Sequence, residues 1–567
     1  MKSTIKFLGS LALLTPVVMQ STAKKPNIIF FLVDDYGWAD SQVAYDGVQY
    51  PNNKRFHTPN MQKLADMGVR FSHAYACPVS TPTRTSMLSG MNSVRSHITN
   101  WTSMAKDEPS DAVGGANGAT VYQEKEEDVF RRPEWNINGL SPVEGIANTQ
   151  YATPMVRLLR DAGYYTIHVG KAHWASAGTP GATPYNMGFI VSVCGNNAGL
   201  PKSYRGKENF GNTPELWNMS AVQDLTQYYG QDIFLTEAIT QEALKMLDYP
   251  VSQKKPFYLY MSHFATHTPI QKDKRFFDYY ADMGQDEGQS KYASMVEGVD
   301  KSLGDIMQYL QDKKIADNTI IIFMADNGGN ADVKAKGGIL HKQNGPLREG
   351  KGSCYDGGIR VPMSVYWPGK TASGTQIDTP VLPEDMFPTI LNMAGVKNYN
   401  TVQEIDGQDL CHLIVEGSKF VAKTKNGMVP QTISGINPQR EILFHYPHQW
   451  KITYKPEVDF LSTIIVGDWK LVYVMMNAVE GQHVDPSNGM IPLESYMMSP
   501  VPGIRQGALE LYNVKEDIGE AKNVAAANPE KVKELAKILS DRLRANRASM
   551  PIVRSTGKPV PMPDELL

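Results

Sequence analysis

Little in this sequence favours charge of either sign. Among 567 residues, 56 lysines and arginines face 59 aspartates and glutamates, leaving a formal charge of −3. Such balance gives no general attraction for nucleic acid or an anionic membrane, so an anionic ligand would need a local positive site. Cysteine is scarce too: Cys77, Cys194, Cys354 and Cys411 are scattered without the spacing of a metal module. Spacing does not choose between disulfides, which an exported chain could form, and buried free thiols. Beyond the N-terminus no apolar run is long enough to cross a bilayer, and there is neither an internal repeat nor a low-complexity tract. With 41% apolar and 20% charged residues the composition is globular, at a length that suggests more than one domain.

Residues 1–23 read as an export signal. Lys2 and Lys6 precede the apolar run from Phe7 to Met19, and Ser21, Thr22 and Ala23 supply small residues for cleavage. As a membrane anchor the run falls short of the roughly 20 residues a spanning helix needs, and Pro16 interrupts it. No cysteine follows it for lipid attachment. The expected location is periplasmic or secreted, with no membrane contact beyond export.

Asn27 to Val33 (NIIFFLV) is a largely apolar run ending at Asp34 and Asp35, as expected of a strand buried on both faces. Similar runs follow at Tyr164 to Val169, Phe257 to Met261, Thr319 to Met324 and Val361 to Tyr366. Helical patterns lie between several of them, at Pro59 to Met67, Thr153 to Ala162, Leu235 to Leu247 and Tyr292 to Leu310. Strands alternating with helices predict a mainly parallel α/β sheet, whose ligands bind at the carboxyl ends of its strands. Polar clusters at Asp34 and Asp35, Lys171 to His173, His263 to His267, and Asp326 and Asn327 all fall there. After about residue 430 come short strand-like pieces (Glu441 to Tyr446, Ser462 to Val466, Trp469 to Val474, Leu509 to Tyr512) and a charged helix, Pro529 to Arg547. Domains are expected at 24–435 and 436–567, the second a smaller α+β unit with an antiparallel sheet. Ser176 to Lys202 and Asn477 to Gly507 read as long surface loops, a length usually reserved for binding.

The segment Cys77-Pro78-Val79-Ser80-Thr81-Pro82-Thr83-Arg84, continuing to Leu88 and Gly90, resembles the signature of the formylglycine-dependent (type I) sulfatases of the alkaline-phosphatase-like superfamily. Ser80 stands at the modified position, and Pro82 and Arg84 lie at the wrong distance for Cys77 to replace it. Alone, the pattern would be weak, because Ser, Thr and Pro cluster in loops. Further elements match in the same order: Asp34-Asp35, Gly170-Lys171-Ala172-His173, His267-Thr268-Pro269, Asp326-Asn327-Gly328, Gly350-Lys351-Gly352, and Leu511-Tyr512-Asn513 with Asp517 and Glu520. The resemblance spans Pro26 to about residue 545. It implies an alkaline-phosphatase-like core with a large, mainly parallel sheet flanked by helices.

The resemblance also implies roles. Asp34, Asp35, Ser80, Asp326 and Asn327 would hold one Ca²⁺; a set made only of oxygen donors suits a hard cation, Mg²⁺ less well. An Asp pair at a strand end is otherwise a helix cap or a solvated turn, but three converging carboxylates repel one another without a cation. Serine is a poor nucleophile unaided. Oxidised to formylglycine (3-oxoalanine) and hydrated, residue 80 would attack the sulfur of a sulfate ester, anchored by Arg84. Lys171 and Lys351 would bind the sulfate oxygens. His173 would serve the second hydroxyl as base, and His267 would protonate the departing alcohol. His263, His341, Arg348, His445 and His448 are further candidates for substrate contact, with packing as the alternative for each.

Serine at position 80, where many members carry cysteine, implies maturation by a radical, iron–sulfur-dependent serine-type enzyme in a bacterium able to live anaerobically. Ala172 replaces the usual aromatic and is expected to leave room near the sulfate. The implied substrate is a sulfated carbohydrate. The alternatives are a phosphodiesterase or phosphonate hydrolase of the same superfamily and a non-catalytic protein that binds sulfated glycans.

Overall fold

The computed structural model describes residues 24–110, 129–213, 220–330, 343–421, 440–449, 460–479 and 508–567. The export segment expected at 1–23, His341 and most of the loop expected at 477–507 lie outside the described residues. Among the described residues no helix is long and apolar enough to cross a membrane.

An eight-stranded sheet forms the centre. Its strands in chain order are β1 (Asn27–Val33), β2 (Val69–Phe71), β3 (Tyr165–Gly170), β4 (Val191–Val193), β5 (Phe257–Ser262), β6 (Thr319–Ala325), β7 (Met363–Tyr366) and β8 (Thr375–Ile377). They lie side by side as β8-β2-β7-β6-β1-β5-β3-β4. All neighbours are parallel except β7, which runs antiparallel to both β6 and β2. Helices α1 (Pro59–Met67), α2 (Ser80–Ser89), α3 (Leu235–Ser252) and α4 (Glu287–Asp312) flank this sheet. Every residue of β1, β5 and β6 is buried, which accounts for their unbroken apolar runs.

Several boundaries moved for local reasons. The helix expected over Thr153 to Ala162 occupies only Met155–Asp161, because extended Pro154 caps its start. The α4 helix begins at Glu287, five residues early, where the Asp286 side chain accepts the Gln289 amide at 2.9 Å. The reading of Ser176 to Lys202 as loop throughout is corrected. Val191–Val193 within it pairs with β3, Ile167 opposite Val191, and closes one sheet edge.

In the C-terminal region β9 (Ile442–Tyr446), β10 (Leu461–Val466), β11 (Trp469–Val474) and β12 (Leu509–Asn513) form an antiparallel sheet in that order. One face packs on helix α5 (Pro529–Ala545) through Leu443, Ile464, Leu471 and Leu511 against Leu535 and Leu539. The other face packs Phe444, Val472 and Tyr512 against Tyr75, Cys77, Val79, Tyr355 and Ile359. The second sheet therefore lies directly behind the turn that leads into Ser80. All four cysteines are buried free thiols.

Candidate active site

Parallel register builds the site. Val33 of β1 lies opposite Ala325 of β6, so the next residues, Asp34 and Asp326, emerge side by side. Leu32 and Gly170 both lie opposite Ser262 of β5, so Lys171 and His263 emerge on the other flank. Oxygens of Asp34, Asp35 and Asp326 all lie within 4.8 Å of one another in a buried cluster. Asp35 holds the left-handed conformation at φ 52°, uncommon for a non-glycine residue.

Three cations answer the three carboxylates. Lys171 Nζ lies 2.8 Å from Asp34 Oδ2, and Lys351 Nζ pairs with Asp35 Oδ1. Arg84 donates to Asp326 Oδ2 through Nε at 2.9 Å and holds Nη2 2.7 Å from the same oxygen. Burial and the neighbouring Asp34 charge raise the Asp326 carboxyl above its ordinary value. Burial lowers the Lys171 ammonium to about 8 against the pull of Asp34.

Ser80 opens α2, with Val79 extended before it, so its Oγ sits at the helix's positive end. That oxygen is 3.2 Å from Asp34 Oδ1, 3.1 Å from Asn327 Oδ1 and 3.1 Å from Lys171 Nζ. One turn on, the motif arginine reaches back and also donates to the Lys171 carbonyl at 3.0 Å and Ser262 Oγ at 2.6 Å. Cys77 is buried and burial pushes its thiol up to about 12, which makes it inert as a nucleophile.

The two histidines differ. His173, also at φ 52°, places Nε2 2.9 Å from the Thr102 carbonyl, which assigns the proton to Nε2. Its Nδ1 is buried without a hydrogen-bond partner among the described residues. Burial and the Lys171 charge hold the ring well below the usual imidazole range, so Nδ1 offers a lone pair. His267 has Nδ1 3.0 Å from the Thr268 carbonyl and Nε2 3.5 Å from Asp35 Oδ2.

Four expected contributions take other places. His263 is wholly buried against the Phe31 ring, with Nε2 3.1 Å from Ser302 Oγ on α4. Arg348 stacks its guanidinium 3.9 Å above Tyr355 and donates to the Tyr512 hydroxyl at 2.9 Å. Ala172 is buried as part of the main apolar core. His445 is held by Ser462 Oγ at 2.6 Å and the Ser549 carbonyl at 3.0 Å. His448 is buried, with Nε2 2.7 Å from Thr99 Oγ1; it backs the segment whose Thr102 carbonyl holds His173. For all four candidates the contacts are with packing partners, not with the acidic cluster.

Sequence reasoning passed over Ser262, Asn330 and Thr102. Asn330 donates to Asp35 Oδ2 at 3.0 Å. Ser262 was legible as the last residue of β5, beside Lys171; nothing in the sequence marks the Thr102 carbonyl. A separate cavity of about 270 Å³ next to the Lys272–Arg275 stretch is lined by Arg205, Lys207, Phe234 and Lys274. Its cations are matched by Glu208, Asp232, Asp273 and Asp278, leaving no surplus charge for an anion.

The donors suit a divalent, oxygen-seeking ion: three carboxylates and the Asn327 amide oxygen converge on one buried point, with no sulfur or nitrogen ligand among them. Comparison with known proteins agrees with this chemistry. The family model described as Sulfatase matches residues 26–396. A sulfatase of Formosa agariphila is 25% identical over 97% of this chain and 95% of its own. Human N-acetylgalactosamine-6-sulfatase is 28% identical over 69% of this chain and 66% of its own. Among solved structures, Ps i-CgsB in complex with k-i-k-neocarrahexaose shares the fold, with TM-score 0.62 and 24% identity over 91% of this chain and 92% of that one.

Proposed function

Because this chain belongs to the sulfatase family and is a sulfuric ester hydrolase, we propose that it removes sulfate from a sulfated carbohydrate, using Ser80 as the precursor of its nucleophile. The observation that carries this reading is the position of Ser80 Oγ, shared by Asp34, Asn327 and Lys171 within 3.2 Å. Asp34, Asp35, Asp326 and Asn327 would hold one Ca²⁺, whose charge would polarise the sulfate oxygens and the residue-80 oxygen. Formylglycine at position 80 would supply a hydrated carbonyl, with one oxygen to attack sulfur and a second to drive release. Arg84 fixes the turn that presents this residue. Lys171 and Lys351, freed from the carboxylates by the cation, would turn to the anion and stabilise charge as it grows. His267 would give a proton to the leaving alcohol, and His173 Nδ1 would take one from residue 80.

Carbohydrate is favoured by the relatives' names: one is an N-acetylgalactosamine-6-sulfatase, and another was solved in complex with k-i-k-neocarrahexaose. The proposal extends to export through residues 1–23 to the periplasm or medium, to domains at 24–435 and 436–567, and to maturation of Ser80 by a serine-type radical enzyme. A two-metal phosphoesterase would need its second metal where Lys171 and Lys351 stand. The test is mass spectrometry of the Ser80 peptide from protein made in its native host, followed by a panel of sulfated sugars. A peptide lighter by two hydrogens and reactive toward an aldehyde probe is expected; an unmodified serine in an active preparation would overturn the mechanism.

A further inference from the structure

Lys470, in the middle of the C-terminal sheet, is wholly buried with its ammonium between two acids. Its Nζ lies 2.7 Å from Asp356 Oδ1 and 2.7 Å from Glu520 Oε1. Glu520 turns its other oxygen to the Asp356 amide, at 2.7 Å. Arg348 adds a second tie, from the same stretch of chain to the Tyr512 hydroxyl and, at 3.3 Å, the Glu520 carbonyl. The stretch so gripped, residues 348–360, carries Lys351.

That stretch also joins the two halves of the site. The Lys351 amide donates to the Gly329 carbonyl at 3.0 Å, two residues beyond Asn327. The Gly352 amide donates to the Pro78 carbonyl at 2.7 Å, two residues before Ser80. The Gly328 amide returns a bond to the Gly358 carbonyl at 3.0 Å. There is no slack: a Cβ on Gly357 would lie 2.1 Å from the Glu349 carbonyl oxygen, and one on Gly358 2.2 Å from that of Ser353. Burying a lysine with two carboxylates is a poor way to gain stability, since apolar replacements of such clusters are often as stable or more so. Such a cluster does fix direction, because only one arrangement satisfies all its charges.

We propose that Lys470 is a positioning residue for Lys351: through Asp356 it sets the turn that delivers the Lys351 ammonium to Asp35 and the chain leading into Ser80. The C-terminal sheet then serves catalysis by orienting the anion-binding lysine from behind. Its kinetic readout rests on the sulfatase reading.

The test compares matured full-length enzyme with the Lys470→Gln/Glu520→Gln double variant, which keeps hydrogen-bonding groups and leaves no unpaired lysine. Lys470→Met is the harsher companion. Nitrophenyl sulfate reports turnover, inorganic sulfate reports anion binding, and amide exchange reports the turn. The double variant should melt near the wild-type temperature. Its kcat should fall about 10- to 100-fold, the range seen when groups orienting a site's ligands are removed, and sulfate should inhibit correspondingly less well. Exchange should quicken over residues 348–360 and stay unchanged in β1. Unchanged kcat and sulfate inhibition in a folded variant would overturn the proposal, as would exchange quickened uniformly across the chain. A wild-type enzyme that neither cleaves nitrophenyl sulfate nor binds sulfate would sink the sulfatase reading, and the exchange pattern alone would then decide the positioning role.

Discussion

At the ends of β1 and β6, Asp34, Asp35 and Asp326 meet Lys171, Lys351 and Arg84; behind them, Asp356 and Glu520 meet Lys470, with Arg360 3.6 Å from Asp356. Both clusters are buried and both pair acids with bases, yet their remaining contacts differ. Glu520 accepts a backbone amide as well as the lysine, so the fold itself closes that cluster. In the first cluster Lys171 and Lys351 hold carboxylates that a divalent ion would take over, and Lys171 shares Asp34 with the Ser80 hydroxyl. Buried charge alone therefore does not mark an active site. What sets the first cluster apart is that Asp34 and Lys171 also meet the Ser80 hydroxyl, at 3.2 and 3.1 Å.

The strongest way to break this comparison is to remove that oxygen. Ser80→Ala should lower turnover of a sulfate ester by about 10⁴-fold or more, about 5.5 kcal/mol in the barrier, while circular dichroism and melting stay close to wild type. Residual activity within tenfold would mean that residue 80 is only structural.

Calcium sharpens the comparison next. The sheet-end cluster should bind one Ca²⁺ per chain, and a thousandfold excess over Kd should add about 4 kcal/mol of stability. Asp326→Asn should abolish that gain, whereas changes at Glu520 should leave it in place. Calorimetry with calcium, then magnesium, measures both stoichiometry and preference. Two ions per chain would favour the phosphoesterase reading.

The sheet-end cluster was far easier to read from sequence than the cluster behind it. Its residues sit at the ends of unbroken apolar strands, where parallel register forces neighbours together, as with Val33 and Ala325. The order of the sheet and the three-residue strands β2, β4 and β8 were not legible, because Val69–Phe71 is too short to show a period and is placed by long-range pairing. The histidines show the limit for side chains. His263 and His267 are four residues apart, yet one packs against α4 and the other faces Asp35. Nothing local distinguishes them. Lys470 escaped notice for a related reason: a lysine in a strand normally faces solvent, and only the folded contact with Asp356 shows that this one does not.

A third buried acid tests whether an unmatched charge is the costly element. Glu384 is 3% exposed and accepts only a neutral donor in the described contacts, Asn92 Nδ2 at 3.0 Å. Its neighbour Asp385 takes Arg440, at 3.1 and 2.7 Å. Burial, then the Asp385 charge, raise the Glu384 carboxyl from 4.5 to about 7. A raised acid binds its proton more tightly in the folded state, so the folded protein is favoured at low pH. That advantage is lost as pH climbs from about 4.5 to about 7 and is gone above it. The full shift corresponds to about 3 kcal/mol as an upper bound. Glu384→Gln keeps an acceptor for Asn92 and cannot ionise. Melting followed from pH 5 to pH 8 should then show a smaller decline than wild type, with the variant the more stable of the two above pH 7. Parallel curves would show that Glu384 carries no such penalty. In that case a buried acid beneath α2 is tolerated without a cation of its own, and the contrast between the two clusters rests on geometry alone.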